Sequence, residues 1–423
     1  MADAMSEARK MLQLRSRPSR GAPPPAAAPR VQVIQDFGQP AAPAAAPAIP
    51  IVERRRVAKA GIGPAIYAVV SFLLIIAGVA AVWHWNQRFA GEMYDDEGLR
   101  PAAEAFAKGQ NYAVFDLNLN IRRLRDMHVG MLAETPDVMI LGASHWQEAN
   151  AGLVKDMKFY NAHVHRDYWE DMLGVTEILV RHNRLPKRVI ISVRDNLFTP
   201  MAARKDFLWE PGIPYWRAMA ARLGIETEPV WQSLPYQRLR ERVSISMLFT
   251  NLTRWYNASE HPHATTDVHF KGLDTLLPDG SIVWSADHLN IFTPERARRE
   301  ALAFAEKRLN SPPMVEERGV AAFEKLLDFY KDKGVTVYFV QPPFNPIYYD
   351  HVEGSPYKEG LTKIEDLTRD IARRHGITII GGFNPHKVGC DASMYIDAEH
   401  SNARCLQKIF DEFSALERAK GGA

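Results

Sequence analysis

Two short clusters, roughly 250 positions apart, hold residue types that together perform acyl-transfer chemistry. Gly142-Ala143-Ser144-His145 follows the apolar run Val138-Met139-Ile140-Leu141, and Asp397-Ala398-Glu399-His400 lies late in the chain. A hydroxyl is a weak nucleophile at neutral pH, so Ser144 needs a neutral imidazole within hydrogen-bond reach and a carboxylate to orient that ring. An Asp-x-x-His segment supplies base and orienter from one loop, which makes Ser144, His400 and Asp397 a candidate triad. Each half alone is a common pattern; the signal is their joint occurrence at the two ends of an α/β alternation.

The elements that must bring them together are short apolar strands separated by amphipathic helices. Val138–Leu141, Lys158–Asn161, Val189–Val193, Val335–Val340 and Ile377–Ile380 read as strands, the third β-branched almost throughout. A helix is expected after Ser144, through Gln147, Ala151, Val154 and Met157, and another from Tyr168 to His182. This alternation predicts a three-layer α/β domain, a mostly parallel sheet covered by helices on both faces, over residues 131–423. Residues 200–310 interrupt the rhythm as an aromatic-rich insertion, with a hairpin over Lys271–Trp284 turning at Pro278-Asp279-Gly280-Ser281.

Upstream, the composition changes twice. Residues 1–60 are rich in Ala, Pro and Arg and have no periodic apolar face, which predicts a disordered tail. Residues 61–85 contain the uncharged run Ile66–Val82, and the length matches the roughly 20 residues that cross a hydrocarbon core. Sixty residues precede this run and Trp83, His84 and Trp85 close it, which favours a retained transmembrane helix over a cleaved signal peptide. Arg54, Arg55, Arg56 and Lys59 stand before it and Glu92, Asp95, Asp96 and Glu97 after it, so the positive-inside rule puts the tail in the cytoplasm and the rest outside. Residues 86–130 are expected to form a juxtamembrane linker and helix. The two cysteines, Cys390 and Cys405, bracket Asp397 and His400; in an oxidising compartment they form a disulfide worth roughly 3 kcal/mol, and in a reducing one they are two free thiols.

A serine after the first strand, Arg194-Asp195-Asn196 after the third and a late Asp-x-x-His resemble the SGNH, or GDSL-like, hydrolase superfamily, and within it the membrane-anchored periplasmic members that handle acyl groups on cell-envelope polymers. The resemblance runs from Asp137 to the C-terminal helix. It implies a flavodoxin-like three-layer domain, a bacterial inner-membrane protein with a periplasmic catalytic domain, and serine esterase or O-acyltransferase activity. Carried onto this sequence, it makes Ser144 the nucleophile, His400 the base and Asp397 its orienter. Asn196 matches the side-chain donor to the oxyanion, and the Ser144 amide is a second donor. The sequence departs from the family in two places: Ala143 stands where an aspartate is frequent, and Ala162 stands where a glycine supplies a third donor, leaving the Ala162 N–H as the candidate. Arg194 either contacts substrate or pairs with Asp195.

The resemblance further implies a single-pass membrane association, a carbohydrate or envelope polymer as substrate, a membrane protein as a candidate acyl donor, and no cofactor. Trp209, Tyr215, Trp216, Trp231, Trp255 and Tyr256 are candidate stacking surfaces for sugars, with ordinary core packing as the alternative. His163 and His165, and the set His261, His263, Asp267 and His269, have ligand chemistry but lack the spacing of a metal site, so no metal is expected. A net charge of +2 from 52 basic and 50 acidic residues, with no basic aromatic groove, gives no footing for nucleic acid. The competing reading is a catalytically silent relative that serves as a binding or scaffold subunit in a polysaccharide synthesis or export complex.

Overall fold

The computed structural model describes residues 62–94, 96–114, 119–165, 167–203, 212–227 and 264–421, with a few positions between 243 and 252. The tail assigned to residues 1–60 lies outside them. Helix Ile62–Tyr94 carries the apolar stretch Ile66–Asn86, whose most apolar 18-residue window has a mean hydropathy of 2.5 and no residue buried against protein. A helix of this length and composition is sufficient to cross a membrane.

The strands, in chain order, are β1 (Asn111–Val114), β2 (Val138–Leu141), β3 (Phe159–Asn161), β4 (Arg188–Ser192), β5 (Ala264–Thr265), β6 (Asp274–Leu276), β7 (Ile282–Val283), β8 (Thr336–Gln341) and β9 (Thr378–Gly381). The larger sheet is parallel, in the order β3-β2-β4-β8-β9. Its strands are apolar nearly throughout because both faces are covered, and the period-2 alternation sends neighbouring side chains into two different cores. Met139, Leu141, Val189, Ile191 and Phe339 pack with helices Trp169–Arg181 and Glu317–Asp332, while Val138, Ile140, Ile190, Tyr338, Val340 and Ile380 pack with helix Ala403–Gly421. Chain order reverses across β2: β3 lies on one side of it and β4 on the other. The crevice at the carboxyl ends of β2 and β4 is therefore the topological switch point, where open α/β sheets bind ligands.

One expectation changes. The segment after Ser144 is not a helix. It makes two 3-10 turns, Ser144–Trp146 and Ala151–Leu153, because Asn150 accepts the Gly152 N–H at 2.9 Å and Asn161 Nδ2 draws in the Trp146 and Ala149 carbonyls at 2.6 and 2.8 Å. The stretch expected as a juxtamembrane linker and helix holds two helices and a strand that reach the core. Helices Asp96–Ala107 and Ile121–Met131 and strand β1 bury Leu99, Ala102, Phe106, Tyr112, Ile121 and Leu124 in the larger core.

Strand β1 also centres a small antiparallel sheet, β5-β1-β6-β7. The expected hairpin is its β6–β7 pair, turning where the sequence places the turn. The turn docks on the edge of the large sheet: the Asn161 N–H donates to the Asp279 carbonyl at 2.6 Å, and buried Arg125 donates through Nη2 to the Gly280 carbonyl at 2.5 Å. Gly280 has φ +85°, and a Cβ there would lie 2.2 Å from the Asn161 carbonyl oxygen. Gly334 has a similar φ of +69° with nothing within 4 Å. Gly334→Ala therefore pays only the left-handed strain of about 1–2 kcal/mol. Gly280→Ala is expected to cost clearly more, because the backbone contact must open as well. Thermal unfolding of the two variants side by side checks this ordering.

Candidate active site

The Ser144 hydroxyl and the His400 ring meet at the carboxyl edge of the large sheet, with Oγ 2.9 Å from Nε2. The other ring nitrogen, Nδ1, lies 2.7 Å from Asp397 Oδ2, while Asp397 Oδ1 accepts the backbone N–H groups of Glu399 and His400, each at 2.8 Å. The carboxylate bond to Nδ1 assigns the proton to that nitrogen and leaves Nε2 as the acceptor for the serine proton. The His400 and Asp397 side chains are 24% and 25% exposed, open enough for a substrate to reach.

The electrostatics follow from these contacts. Burial alone lowers the His400 pKa, but the Asp397 charge and hydrogen bond, helped by the Glu399 charge, outweigh it and raise the value above the ordinary imidazole range. Burial pushes the Asp397 carboxyl up, and the charge and hydrogen bond of His400 with the two backbone donors bring it below the usual carboxylate value.

Local structure explains why Ser144 sits there. A Cβ on Gly142 would lie 2.6 Å from Trp146 Cδ1 and 2.7 Å from Ser192 Cβ, so glycine is what lets the chain leave β2 so close to β4. The Trp146 indole then donates to Ser192 Oγ at 2.8 Å and locks the turn. Ala143 is fully buried, so the aspartate frequent at this position in the resembling family would place a carboxylate in the core. The hairpin turn braces the same segment: the Ile282 N–H donates to the Gln147 carbonyl at 2.7 Å and the Ala151 N–H to Asp279 Oδ2 at 2.6 Å.

The oxyanion donors divide. The Ser144 N–H opens its 3-10 turn and donates to no carbonyl among the described residues. Asn196 follows β4 next to the switch point, half-buried, and its carboxamide makes no hydrogen bond among the described residues, with Oδ1 buried and unpartnered. Ala162 is a correction. Its N–H donates to the Ile140 carbonyl at 2.9 Å, because the parallel β2–β3 ladder runs on past the strand end. The next two amides are also taken, His163 N–H by Asn161 Oδ1 and Val164 N–H by the Gly142 carbonyl.

Arg194 is buried and paired, but with Asp167 at 3.2 Å rather than with Asp195. Asp195 instead accepts the Tyr357 hydroxyl at 2.8 Å. Tyr215 and Trp216 belong to the hydrophobic core, not to a sugar platform, and Trp209, Trp231, Trp255 and Tyr256 lie outside the described residues. His261 and His263 also lie outside them, and Asp267 only caps the His269 N–H at 2.9 Å. His163 is fully buried against Arg125 and Asn161. No cluster of three metal-ligating side chains occurs among the described residues.

Sequence reasoning missed Asn345. In the loop after β8, its Nδ2 donates to the Asp397 carbonyl at 2.9 Å and its N–H to the Ala398 carbonyl at 3.1 Å, so it holds the base loop from the sheet side. The only available signal was its position at a strand end, shared by many residues without such a role.

Cys390 and Cys405 form a disulfide with Cα atoms 5.4 Å apart, buried with Tyr395 under the same loop. The Tyr395–Ser401 bridge and the Ile396 N–H to His400 carbonyl bond at 3.0 Å complete the turn. Replacing both cysteines with serine is expected to cost about 3 kcal/mol of stability and to loosen the His400 position. Denaturant unfolding measures the first effect, and the reactivity of Ser144 toward a phosphonate measures the second. No protein-family model matches this chain, and no curated protein matches it.

Proposed function

We propose that this chain is a membrane-anchored serine esterase or O-acyltransferase acting through an acyl-enzyme on acylated carbohydrate or envelope polymer. The observation that carries this reading is the continuous hydrogen-bonded line Ser144–His400–Asp397 at the switch point of a parallel sheet. In the first step the Ser144 O–H bond breaks, its proton passes to His400 Nε2, and Oγ bonds to the ester carbon. The oxyanion so formed receives the Ser144 N–H and the Asn196 carboxamide. Collapse expels the alkoxide, which takes the proton from Nε2. Water or a sugar hydroxyl then repeats the cycle on the acyl-enzyme, so hydrolase and transferase differ only in the acceptor.

The resemblance to SGNH hydrolases supports the same assignment, and with it a bacterial inner-membrane anchor and a periplasmic domain. The apolar helix, the charge asymmetry around it and the Cys390–Cys405 disulfide are consistent with that placement. A membrane acyl-donor partner follows only if the acceptor is a sugar. The occupied Ala162 N–H favours the second reading, a silent binding or scaffold subunit, because it removes one donor from the oxyanion site.

Ser144→Ala separates the two. For the enzyme, ester turnover drops by at least ~10³-fold and phosphonate labelling of Ser144 disappears. For the scaffold, the wild-type protein turns over no ester and the variant keeps its cellular role. The pH profile is a further test. His400 works as a base only when neutral, and its pKa is raised, so kcat/KM falls as pH drops through a limb lying above the ordinary imidazole value of about 6.5.

A further inference from the structure

The two motifs contribute consecutive residues that match crosswise. Ser144 faces His400, while its neighbour His145 faces Glu399, the residue before His400. The His145 and His400 rings stack with centroids 5.3 Å apart and planes 29° from parallel, and His145 Nε2 lies 4.0 Å from Glu399 Oε1. His145 is 4% exposed, its Nδ1 has no hydrogen-bond partner, and Glu399 Oε1 is likewise buried without one. Leaving such groups unsatisfied costs stability that plain packing of an apolar pair at the same positions would not.

We propose that His145 and Glu399 are positioning residues for His400: His145 fixes the plane of its ring by stacking, and Glu399 holds the positive charge the ring acquires with the Ser144 proton. This rests on the acyl-enzyme reading of the site. Burial, then the Arg194 and His400 charges, keep the His145 pKa well below its ordinary value, so this ring stays neutral and does not compete for the proton. The groups that act on the His400 charge are Asp397 and Glu399, which favour it, and Arg194, which opposes it. Glu148, four residues after Ser144, also feels that charge; burial lifts its carboxyl to about 7, opposed by the Trp284 indole, His400 and the Ala403 N–H. Burial raises the Glu399 carboxyl too, against Arg194 and with Asp195; His400 and Arg308 favour its anion.

The sign of the effect is fixed. A Glu399 anion stabilises cationic His400, so removing it lowers the His400 pKa. The full-length protein in detergent, carrying Glu399→Gln, is expected to show the acid limb of kcat/KM at lower pH than wild type, with kcat on the plateau down ~10-fold and KM unchanged. Glu399→Asp restores the limb toward wild type. His145→Ala is expected to lower kcat ~10-fold, and His145→Phe, which keeps a ring on the stack, to recover most of that loss. An unmoved limb in Glu399→Gln, or His145→Ala indistinguishable from wild type, overturns the proposal. NMR titration of the His400 ring in a Ser144→Ala background, with and without Glu399→Gln, reads the same shift without turnover. Absence of esterase activity in wild type would thus sink the acyl-enzyme reading, while an unshifted His400 titration would sink the role of Glu399.

Discussion

The site depends on how one carboxylate is satisfied. Asp397 uses one oxygen for the His400 ring and the other for the Glu399 and His400 amides, so the bonds that fold the loop also orient that ring. A partly buried anion is tolerable only when donors surround it, and here those donors are the loop itself. The loop cannot unwind without stranding the charge, and the base cannot turn without losing its partner. Asn345 and the disulfide then fix this unit to β8 and to the C-terminal helix.

On the opposite side, Ser144 is held by close approach. Gly142 lets the exit from β2 touch Ser192 on β4, and the Trp146 indole fills the space a larger residue would need. The small sheet adds a brace from outside through Asp279 and Ile282. What reads in sequence as an interruption of the α/β rhythm thus supports the turn that carries Ser144.

Much of this was legible because it is local. The strands around Ile140, Ile190 and Phe339 are apolar or β-branched runs with flanking helices, and Ser144, Asp397 and His400 lie on short motifs with a mechanism. What was not legible depends on pairing across long separations. The β1 partners lie more than a hundred residues away and β5 is two residues long, so no periodicity marks that sheet. The Ala162 donor failed for a related reason: the register of a parallel ladder decides which amides past the strand end stay free. The missing helix after Ser144 shows side-chain acceptors and donors at Asn150 and Asn161 overriding an apolar spacing. Tyr215 and Trp216 carry no mark in sequence that separates a core aromatic from an exposed one.

The bond between Ser144 and His400 spans 256 positions, with the intervening strands β3 to β9 between them. Because synthesis runs from the N-terminus and domains fold as units, Ser144 is made long before His400 exists. The hydrogen bond to the Ser144 hydroxyl cannot form until β9 joins the sheet edge and the loop beyond it closes. On the proposed reading reactivity is thereby tied to completion of the fold, and a chain stalled or clipped before that loop holds a serine with no more nucleophilic power than any other.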